Sequence, residues 1–489
     1  MTESRIGKGL ASVHKTAQRE PCKIIHASIY EGSTMWAWPN LLLRAVALAS
    51  ATRIDLEPHD ATVLTPSSPS YNDSALANWN LRVQYRPAAI VYPKTSRDVQ
   101  KYVSCGAAFG VAVVGRSGGH SYASYGVGGQ DGSLVIDMSN IHRLLLIHLV
   151  VLKFRQATGW ATLRKSYGIK DKEAYLTVSA HMLAWGSGHI AFGGFGPFSR
   201  VAGLLQDRVT AAEVVLANGT ITTASATKNS DLFWALRGAG ASYGIVTQWT
   251  FATLAAPPTS VALSAPNELS VICTIKQAGG ANGTLFLEYR GTYYGTQSSF
   301  DSLTSDWATL LSPGNLTSQV HNWYDGLVAL SGTLSTSVPE QRVTIFAKSL
   351  FTKSPVTAAQ WTSLLSYLGD QGLKSKLGWY IEIDREYGGG VAKLPADATS
   401  FAHRDAVLCF QFVTGLFLPH FPSDGIPFLN GMLGSLDPNP QAAYVNYVDP
   451  TLTPAQWKQG GAEKKVLDPR LGGGGPPCLG IKCFFREAR

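Results

Sequence analysis

Short apolar runs separated by turn residues dominate much of the chain. The runs at 89–92, 111–114 and 134–138 hold few polar positions, which is typical of buried strands. Between the first two runs, Thr95 stands at the N-cap position of a helix whose apolar positions include Val103. The pattern predicts alternating strands and helices, with a glycine-rich turn directly after the second strand.

The later part of the chain continues this mixture. Residues 212–222 predict a hairpin that turns at Asn218-Gly219, and residues 230–236 predict a capped helix. A strand follows and runs to the double proline at 257–258, which marks a predicted domain boundary. Residues 259–430 then mix strand-like and helix-like stretches without repeats. The sequence therefore predicts an α+β fold.

The composition is that of a globular enzyme and does not favour a polyanionic partner. The 489 residues are 45% hydrophobic and 15% charged, enough for two domains with ample cores. The net charge of +8 is concentrated in residues 1–34, 144–185 and 458–489, which carry +2, +4 and +4, so the remainder is near −2. Basic residues form no stripe interleaved with aromatic ones, and we expect no nucleic-acid partner.

One stretch near the N-terminus has the features of a targeting signal. No apolar run reaches the ~20 residues that span a bilayer, so we expect no membrane partner. From Met35 an apolar stretch ends in the A-x-A signature at 49–51, which we interpret as a signal peptide, with an ordinary apolar helix as the alternative. Four N-glycosylation sequons agree with a secreted protein, and they begin at Asn72, Asn218, Asn282 and Asn315.

The cysteines point to neither a metal site nor a disulfide framework. The six are Cys22, Cys105, Cys273, Cys409, Cys478 and Cys483. Their spacing contains no C-x-x-C and no zinc-finger pattern, so no metal is expected, and one disulfide bond is allowed.

The glycine-rich turn at 115–120 carries the main chemical signal. Its residues, Gly-Arg-Ser-Gly-Gly-His, directly follow a strand. Glycines let backbone N–H groups approach a pyrophosphate closely, Arg116 adds positive charge, and a histidine that ends such a turn can reach a flavin ring. Taken alone the motif is weak, because a glycine turn with a structural histidine has the same sequence.

Further blocks in the same order give the turn its meaning. They lie at 134–138, 186–207, 231–247 and 444–450. Together with the turn they resemble the vanillyl-alcohol-oxidase superfamily, and within it the berberine-bridge-enzyme-like branch. The forms at 193–207 and 446–450 are most similar to those of fungal glucooligosaccharide and chitooligosaccharide oxidases.

The resemblance implies a two-lobed PCMH-type FAD-binding domain and a substrate domain with an antiparallel sheet flanked by helices. The implied divisions are a leader at 1–51, the FAD-binding domain at 52–257, a substrate-binding domain at 258–437 and a return to the FAD-binding domain at 438–489. Residues 144–185 are atypical within this scheme, and the pattern degenerates after residue 457.

The implied cofactor is FAD, bound covalently through His120 to the 8α-methyl group of the flavin. The other cofactor-binding residues implied by the resemblance are Gly115, Arg116, Ser117, Gly118, Gly119, Gly188, His189, Gly193, Gly194, Gly196, Ile245 and Val246.

The resemblance also implies the catalytic residues. Tyr447 matches the tyrosine that acts as general base, and a phenol with an ordinary pKa of ~10 needs nearby positive charge or hydrogen bonds for that role. Tyr122 matches a tyrosine near the substrate, although a packing role is equally open. Asp384 matches an acid that polarises the base, with Glu382 and Glu386 as alternatives, and a place on a surface strand is equally open. Several aromatic residues could stack on sugar rings or belong to the core: Tyr289, Tyr293, Tyr294, Trp323 and Tyr324.

A competing interpretation is a Rossmann NAD site. Residues 186–191 match G-x-G-x-x-A, and Asp207 follows 21 residues after Gly186. No clear βαβ unit surrounds the match, and the glycines and proline at 193–197 would break the helix that the motif requires. This alternative is therefore the weaker one.

The chain also departs from the family. Many members attach FAD through a second residue, a cysteine, yet no cysteine lies between Cys105 and Cys273. Residues 144–185 and the tail after 457 fail to match as well. Two interpretations remain open: retained intron sequence or a shifted frame, which we favour, and genuine divergence to single attachment.

The leading hypothesis is a secreted, monomeric FAD-dependent oxidase that takes hydride from the anomeric carbon of oligosaccharides. The partners expected are a small carbohydrate and O₂, with a lactone and H₂O₂ as products. The alternatives are an oxidase of a secondary metabolite with the same fold and a catalytically inactive flavoprotein.

Overall fold

The structure is a computed structural model that divides into two units, residues 1–57 and 58–489. The residues it describes are 22–25, 53–56, 62–75, 78–141, 144–147, 151–155, 186–252, 269–277, 283–310, 318–321, 325–326, 342–415, 420–440 and 442–452. In the first unit, β1 (Cys22–Ile25) pairs antiparallel with β2 (Arg53–Leu56). The predicted signal peptide, the boundary at 257–258 and the tail after 457 lie outside the described residues.

The first sheet of the second unit has four strands in the order β3-β4-β6-β5. They are β3 (Thr62–Leu64), β4 (Ala89–Tyr92), β5 (Val113–Arg116) and β6 (Leu134–Asp137). β6 pairs parallel with both β4 and β5. The helix Ser96–Ala108 makes the crossover that parallel strands require, and it begins with a capping box between Thr95 and Asp98. This confirms the strand–helix–strand pattern predicted from the sequence.

The second sheet is antiparallel, with the order β10-β9-β11-β8-β7. Its strands are β7 (Leu144–Ile147), β8 (Val151–Arg155), β9 (Val209–Val215), β10 (Ile221–Ser225) and β11 (Ile245–Ala252). The predicted hairpin joins β9 to β10, with Gly219 at a positive φ of 80°. Part of the atypical segment 144–185 contributes regular structure here, because β8 pairs with β11 in register.

The third sheet is also antiparallel, with the order β13-β12-β15-β16-β14. Its strands are β12 (Leu269–Gln277), β13 (Leu285–Tyr293), β14 (Phe346–Thr352), β15 (Trp379–Asp384) and β16 (Leu408–Thr414). One face of β15 and β16 is apolar, and Ile381 and Phe410 pack there with the helices Ala358–Tyr367 and Gly425–Leu436. The alternate positions place polar side chains on the opposite face. The predicted antiparallel sheet with flanking helices is confirmed.

Apart from Gln297–Leu310, which has 14 residues, the remaining described helices have ten residues or fewer. They are the α-helices Tyr71–Ala75, Gly186–Ala191, Ser199–Ala202, Ser230–Ala239, Gln297–Leu310 and Gly389–Ala392, the 3₁₀ turns Tyr125–Val127, Met138–Asn140, Leu205–Arg208, Gly240–Ser242 and Val445–Tyr447, and the π-turn Leu368–Gly372. Among the described residues, no helix combines the length and apolar character needed to cross a bilayer. Nor do the described His, Cys, Asp and Glu residues form a group of three or more suited to a metal ion.

Buried polar contacts join the first two sheets. Glu213 on β9 accepts hydrogen bonds from Ser96, at the start of the crossover helix, and from Thr247 on β11, the latter at 2.7 Å. These bonds fix the crossover helix relative to the second sheet.

Candidate active site

A cleft opens where the first and second sheets meet. It is walled by the glycine-rich turn after β5, the helix Gly186–Ala191, the start of β11 and the segment 445–448. Ten of the sequence-predicted site residues line it: Gly115, Ser117, Gly118, Gly119, His120, Tyr122, Gly188, His189, Ile245 and Val246. The structure therefore brings most of the predicted cofactor-binding residues to one place.

The turn itself depends on the absence of side chains. Gly119 has a positive φ of 72°. A Cβ added at Gly115 would lie 3.2 Å from Cγ2 of Ile245, tighter than an ordinary contact. Between Gly115 and Gly119 in the sequence, the hydroxyl of Ser117 is buried without a hydrogen-bond partner among the described residues. The cradle thus offers close backbone approach and one hydroxyl for a bound polar group.

Arg116 does not fill its expected role. Its guanidinium is buried against Asp137, with Nη2 and Oδ2 2.5 Å apart, and its Nη1 donates to the carbonyl of Ser74 at 2.9 Å. The parallel register of β5 and β6 sets Arg116 directly opposite Asp137. Because Asp137 neutralises its charge, Arg116 anchors the base of the turn and does not line the cleft.

Three predicted glycines also lie behind the cleft, outside its lining. Gly193 and Gly194 have positive φ values of 115° and 77°, and added Cβ atoms would meet Phe401 and Leu205 at 2.8 Å. The N–H of Gly196 donates to Ser199 Oγ at 2.8 Å. These glycines allow the tight loop between the helices Gly186–Ala191 and Ser199–Ala202.

Two histidines face the cleft in uncharged form. Burial lowers the pKa of His120 to about 4 and that of His189 to about 3. At neutral pH both imidazoles therefore keep a nitrogen lone pair. For His120 that lone pair is what a bond to carbon would require.

The two predicted catalytic tyrosines stack on each other beside the cleft. The ring centroids of Tyr122 and Tyr447 lie 5.5 Å apart with an interplanar angle of 14°. Tyr447 is 4% exposed, and its neighbours Val445 and Asn446 line the cleft. Gln411 on β16 donates a hydrogen bond of 2.7 Å to the hydroxyl of Tyr122.

Two carboxyl groups approach this pair from the third sheet. Glu382 and Asp384 alternate on the polar face of β15, opposite Gln411 and Cys409 of β16. Burial raises the pKa of Asp384 well above its ordinary value, and the neighbouring Glu382 raises it further. Burial also raises the pKa of Glu386 to about 8, although Ser270 donates to that carboxyl at 3.0 Å.

The electrostatics of Tyr447 differ from the expectation of a stabilised phenolate. Burial raises the pKa of Tyr447 well above 10, and Asp384, Tyr122 and Glu382 raise it further. The charged groups that shift the pKa of this phenol are thus carboxyls. The resting hydroxyl is neutral, and its deprotonation must be coupled to the chemistry it serves.

The segment that carries Tyr447 is fastened to β14. Lys348 pairs with Asp449 at 2.8 Å, and the N–H of Tyr444 donates to Ser349 Oγ at 2.8 Å. Lys348 was not predicted from the sequence, because its partner is set by tertiary contacts. Gln411 was also missed, although a lone glutamine between Phe410 and Phe412 was a usable signal.

Most aromatic residues considered for sugar stacking belong to packing contacts. Tyr293 is buried and packs against Phe300, and Tyr294 meets Phe198 edge-on at 4.9 Å. Tyr289 packs partly buried against the same cluster. Trp323 and Tyr324 lie outside the described residues. Trp79, which the sequence did not single out, stacks on Tyr122.

The disulfide expectation can also be compared with the structure. Cys105, on the crossover helix, is disulfide-bonded. Cys273 and Cys409 are free thiols on β12 and β16. Neither lines the cleft.

Comparison with known proteins gives concordant matches. An FAD binding domain family matches residues 87–225. Xylooligosaccharide oxidase of Thermothelomyces thermophilus is 35% identical over 418 residues, 77% of this chain and 82% of that protein. The solved structure of xylooligosaccharide oxidase from Myceliophthora thermophila C1 in complex with xylobiose has a TM-score of 0.73 at 29% identity, covering 83% of this chain and 92% of that one. Glucooligosaccharide oxidase from Acremonium strictum, which carries 6-S-cysteinyl, 8α-N1-histidyl FAD, has a TM-score of 0.73 at 25% identity, covering 83% and 93%.

Proposed function

The chain belongs to the berberine-bridge-enzyme-like family of FAD-linked oxidases, and on that basis we propose that it oxidises the anomeric carbon of an oligosaccharide to a lactone. It is an FAD-dependent oxidoreductase. The observation that carries the proposal is the stacked pair Tyr122–Tyr447 beside a cleft that His120 lines. When bound, FAD supplies the hydride acceptor and passes the electrons to dioxygen, which gives hydrogen peroxide.

The residues of the cleft suit FAD. The glycine cradle at 115–119 admits a group close to the backbone, and the buried Ser117 hydroxyl is available as a hydrogen-bond donor. Ile245, Val246 and Trp249 give the cleft an apolar surface suited to an aromatic ring system. We assign this cleft to the cofactor.

We propose a single covalent attachment, through His120. The imidazole is neutral at neutral pH because burial lowers its pKa, so a nitrogen lone pair is available for a bond to carbon. No cysteine lies between Cys105 and Cys273, and the free thiols of Cys273 and Cys409 belong to strands of the third sheet. Among the described residues of the second unit, no cysteine lines the cleft to serve as the second, cysteinyl link.

We assign Tyr447 as the general base. The Tyr447 hydroxyl accepts the proton of the anomeric hydroxyl while it passes its own proton to a neighbouring group. Because both transfers are coupled, no free phenolate forms beside the buried carboxyls. Among the carboxyls, Asp384 raises the pKa of Tyr447 most, and one of its oxygens has no hydrogen-bond partner among the described residues. We therefore assign Asp384 as the group that receives the proton from Tyr447. Glu386 is held by Ser270, and Glu382 lies opposite Gln411.

Tyr122 and Gln411 orient the sugar in this proposal. The hydrogen bond from Gln411 fixes the Tyr122 hydroxyl, and the ring of Tyr122 covers one face of Tyr447. Because both its hydroxyl and its ring are held, the Tyr122 side chain keeps one orientation. That rigidity is what a positioned substrate hydroxyl requires.

A peroxide assay across glucose and cello-, malto-, xylo- and chito-oligosaccharides tests the proposal. Turnover of at least one series is expected, and Tyr447→Phe should lower kcat by ~10²–10⁴. Tyr367→Phe is the matched control, since Tyr367 donates to the Phe428 carbonyl in the third-sheet core and its loss should leave kcat unchanged. Peroxide formation at the wild-type rate by Tyr447→Phe would reject the assignment of the base.

We also propose secretion with N-glycosylation. Two of the four sequon asparagines, Asn72 and Asn218, lie at exposed positions, as the modification requires. Asn282 and Asn315 lie outside the described residues. A mass decrease on treatment of the secreted protein with an N-glycosidase is the expected result, and an unchanged mass would count against this.

A further inference from the structure

A tryptophan between the helix Tyr71–Ala75 and β4 lies against the proposed attachment residue. The ring centroids of Trp79 and His120 are 5.5 Å apart with an interplanar angle of 31°. The same indole stacks on Tyr122 at 5.3 Å and 30°. Trp79 thus contacts both the proposed flavin attachment residue and the tyrosine that covers Tyr447.

The backbone around Trp79 reinforces this contact. The N–H of Trp79 donates to the carbonyl of Gly119 at 3.4 Å. The backbone of Trp79 is therefore bonded to the residue that precedes His120. The carbonyl of Trp79 accepts from the N–H of Val343 at 2.9 Å, and the N–H of Leu81 donates to Val343 at 2.7 Å. Trp79 is therefore fastened on one side to the glycine turn and on the other to the chain entering β14.

The next residue, Asn80, is fully buried and uses every hydrogen-bonding position of its side chain. Its Nδ2 donates to the carbonyls of Tyr122 and Ile345, the latter at 2.9 Å. Its Oδ1 accepts from the N–H groups of Arg82 at 3.0 Å and Ile345 at 3.1 Å. A buried amide with two donors and two acceptors all satisfied has one orientation only. Asn80 consequently holds the backbone from which the indole projects.

We propose that Trp79 is a positioning residue that orients the His120 imidazole for covalent attachment of FAD, and that Asn80 holds Trp79 in place. This inference rests on the proposed attachment at His120. Rotation of the imidazole about its χ2 angle would move the reacting nitrogen, and the indole plane packed against the ring limits that rotation. A displacement of about 1 Å in a reacting pair can cost roughly a hundredfold in rate.

The attachment step balances with dioxygen as the oxidant. One N–H bond of the imidazole and one C–H bond of the flavin methyl group break, and one N–C bond forms. The two protons and two electrons released are taken up by dioxygen, which becomes hydrogen peroxide. The flavin ends at its original oxidation level, so attachment needs no other reactant.

The test is the rate at which acid-stable flavin accumulates when the purified full-length protein is incubated with excess FAD. The variants are Trp79→Phe, which keeps a smaller ring, and Trp79→Leu, which keeps apolar volume without a ring plane. Trp361→Phe is the matched control, because Trp361 is another partly buried tryptophan that packs in the third-sheet core. His120→Ala gives the baseline without attachment.

We expect Trp79→Leu to attach FAD roughly ten- to a hundredfold more slowly than wild type, and Trp79→Phe to recover part of that loss. Both should bind FAD non-covalently, and Trp361→Phe should match wild type in attachment rate. A wild-type rate for Trp79→Phe and Trp79→Leu would overturn the proposal while leaving the attachment at His120 intact. If Trp79→Leu does not fold, a wild-type rate for Trp79→Phe overturns it alone. Absence of acid-stable flavin in wild type would instead reject attachment itself.

Discussion

The phenol rings of Tyr122 and Tyr447 stack at 5.5 Å although the two residues lie 325 positions apart in the chain. Tyr122 follows the glycine turn directly, whereas Tyr447 lies in a C-terminal segment fastened to β14 by Lys348 and Ser349. The stack therefore couples the cofactor cleft to the polar face of the third sheet. The geometry of the stack depends on contacts from the cleft and from the third sheet.

Replacing Gln411 with leucine should weaken substrate positioning more than chemistry. The substitution removes the 2.7 Å hydrogen bond to the Tyr122 hydroxyl and leaves that buried hydroxyl without its donor. A loss of this kind costs about 1–3 kcal/mol. We expect KM to rise several-fold with a smaller fall in kcat, measured by peroxide release. The account of Tyr122 as an orienting residue fails if KM is unchanged in a variant that retains FAD.

Glu386→Gln should flatten the pH dependence of stability between about pH 6.5 and 8. Burial raises the pKa of Glu386 to about 8, so the folded state holds a proton that the unfolded state has released, and stability falls as pH rises towards 8. Below about 6.5 the buried His120, His189 and His403 act in the opposite direction, because their pKa values are lowered. Measurement between about pH 6.5 and 8 avoids the contribution of these histidines.

The slope removed by Glu386→Gln should be at most about 1.4 kcal/mol per pH unit, the value for one proton. Glutamine can still accept from Ser270, which makes the variant close to isosteric. Chemical denaturation at a series of pH values measures the slope. Parallel curves for wild type and variant would show that Glu386 titrates normally in the folded state.

Arg116→Leu should destabilise the fold by about 3–5 kcal/mol, because it leaves the buried Asp137 carboxylate without its partner. Adding Asp137→Asn should restore much of that stability, since the remaining amide is uncharged. Thermal unfolding of the single and double variants makes the comparison. If Arg116 instead serves a bound phosphate, the double variant will regain stability yet lose FAD affinity, measured in a His120→Ala background.

The glycine turn and its histidine could be predicted from sequence because their roles are local. A turn after a strand, with glycines where backbone must be exposed, has the same meaning wherever it folds. The α+β class and FAD as cofactor followed from ordered motifs and are confirmed. The catalytic assignments at Tyr447 and Asp384 remain predictions, brought near each other by the fold.

What could not be predicted depends on tertiary partners. Arg116 was expected to face a phosphate, but strand register places it opposite Asp137. Trp79 lies outside every predicted helix and strand, and its ring contacts with His120 and Tyr122 are tertiary. Likewise, the charges around Tyr447 come from alternate residues of β15, whose facing partner is set by sheet order.

Attachment of FAD through His120 alone is the central claim, and peptide mass analysis of acid-precipitated protein tests it most directly. We predict one flavin per chain, carried by the proteolytic peptide that contains His120, and none on any peptide of His120→Ala. The flavin should be bonded to that peptide only, with no cross-link to a cysteine-containing peptide. Flavin that is released by acid, or recovered on a peptide lacking His120, would contradict the account.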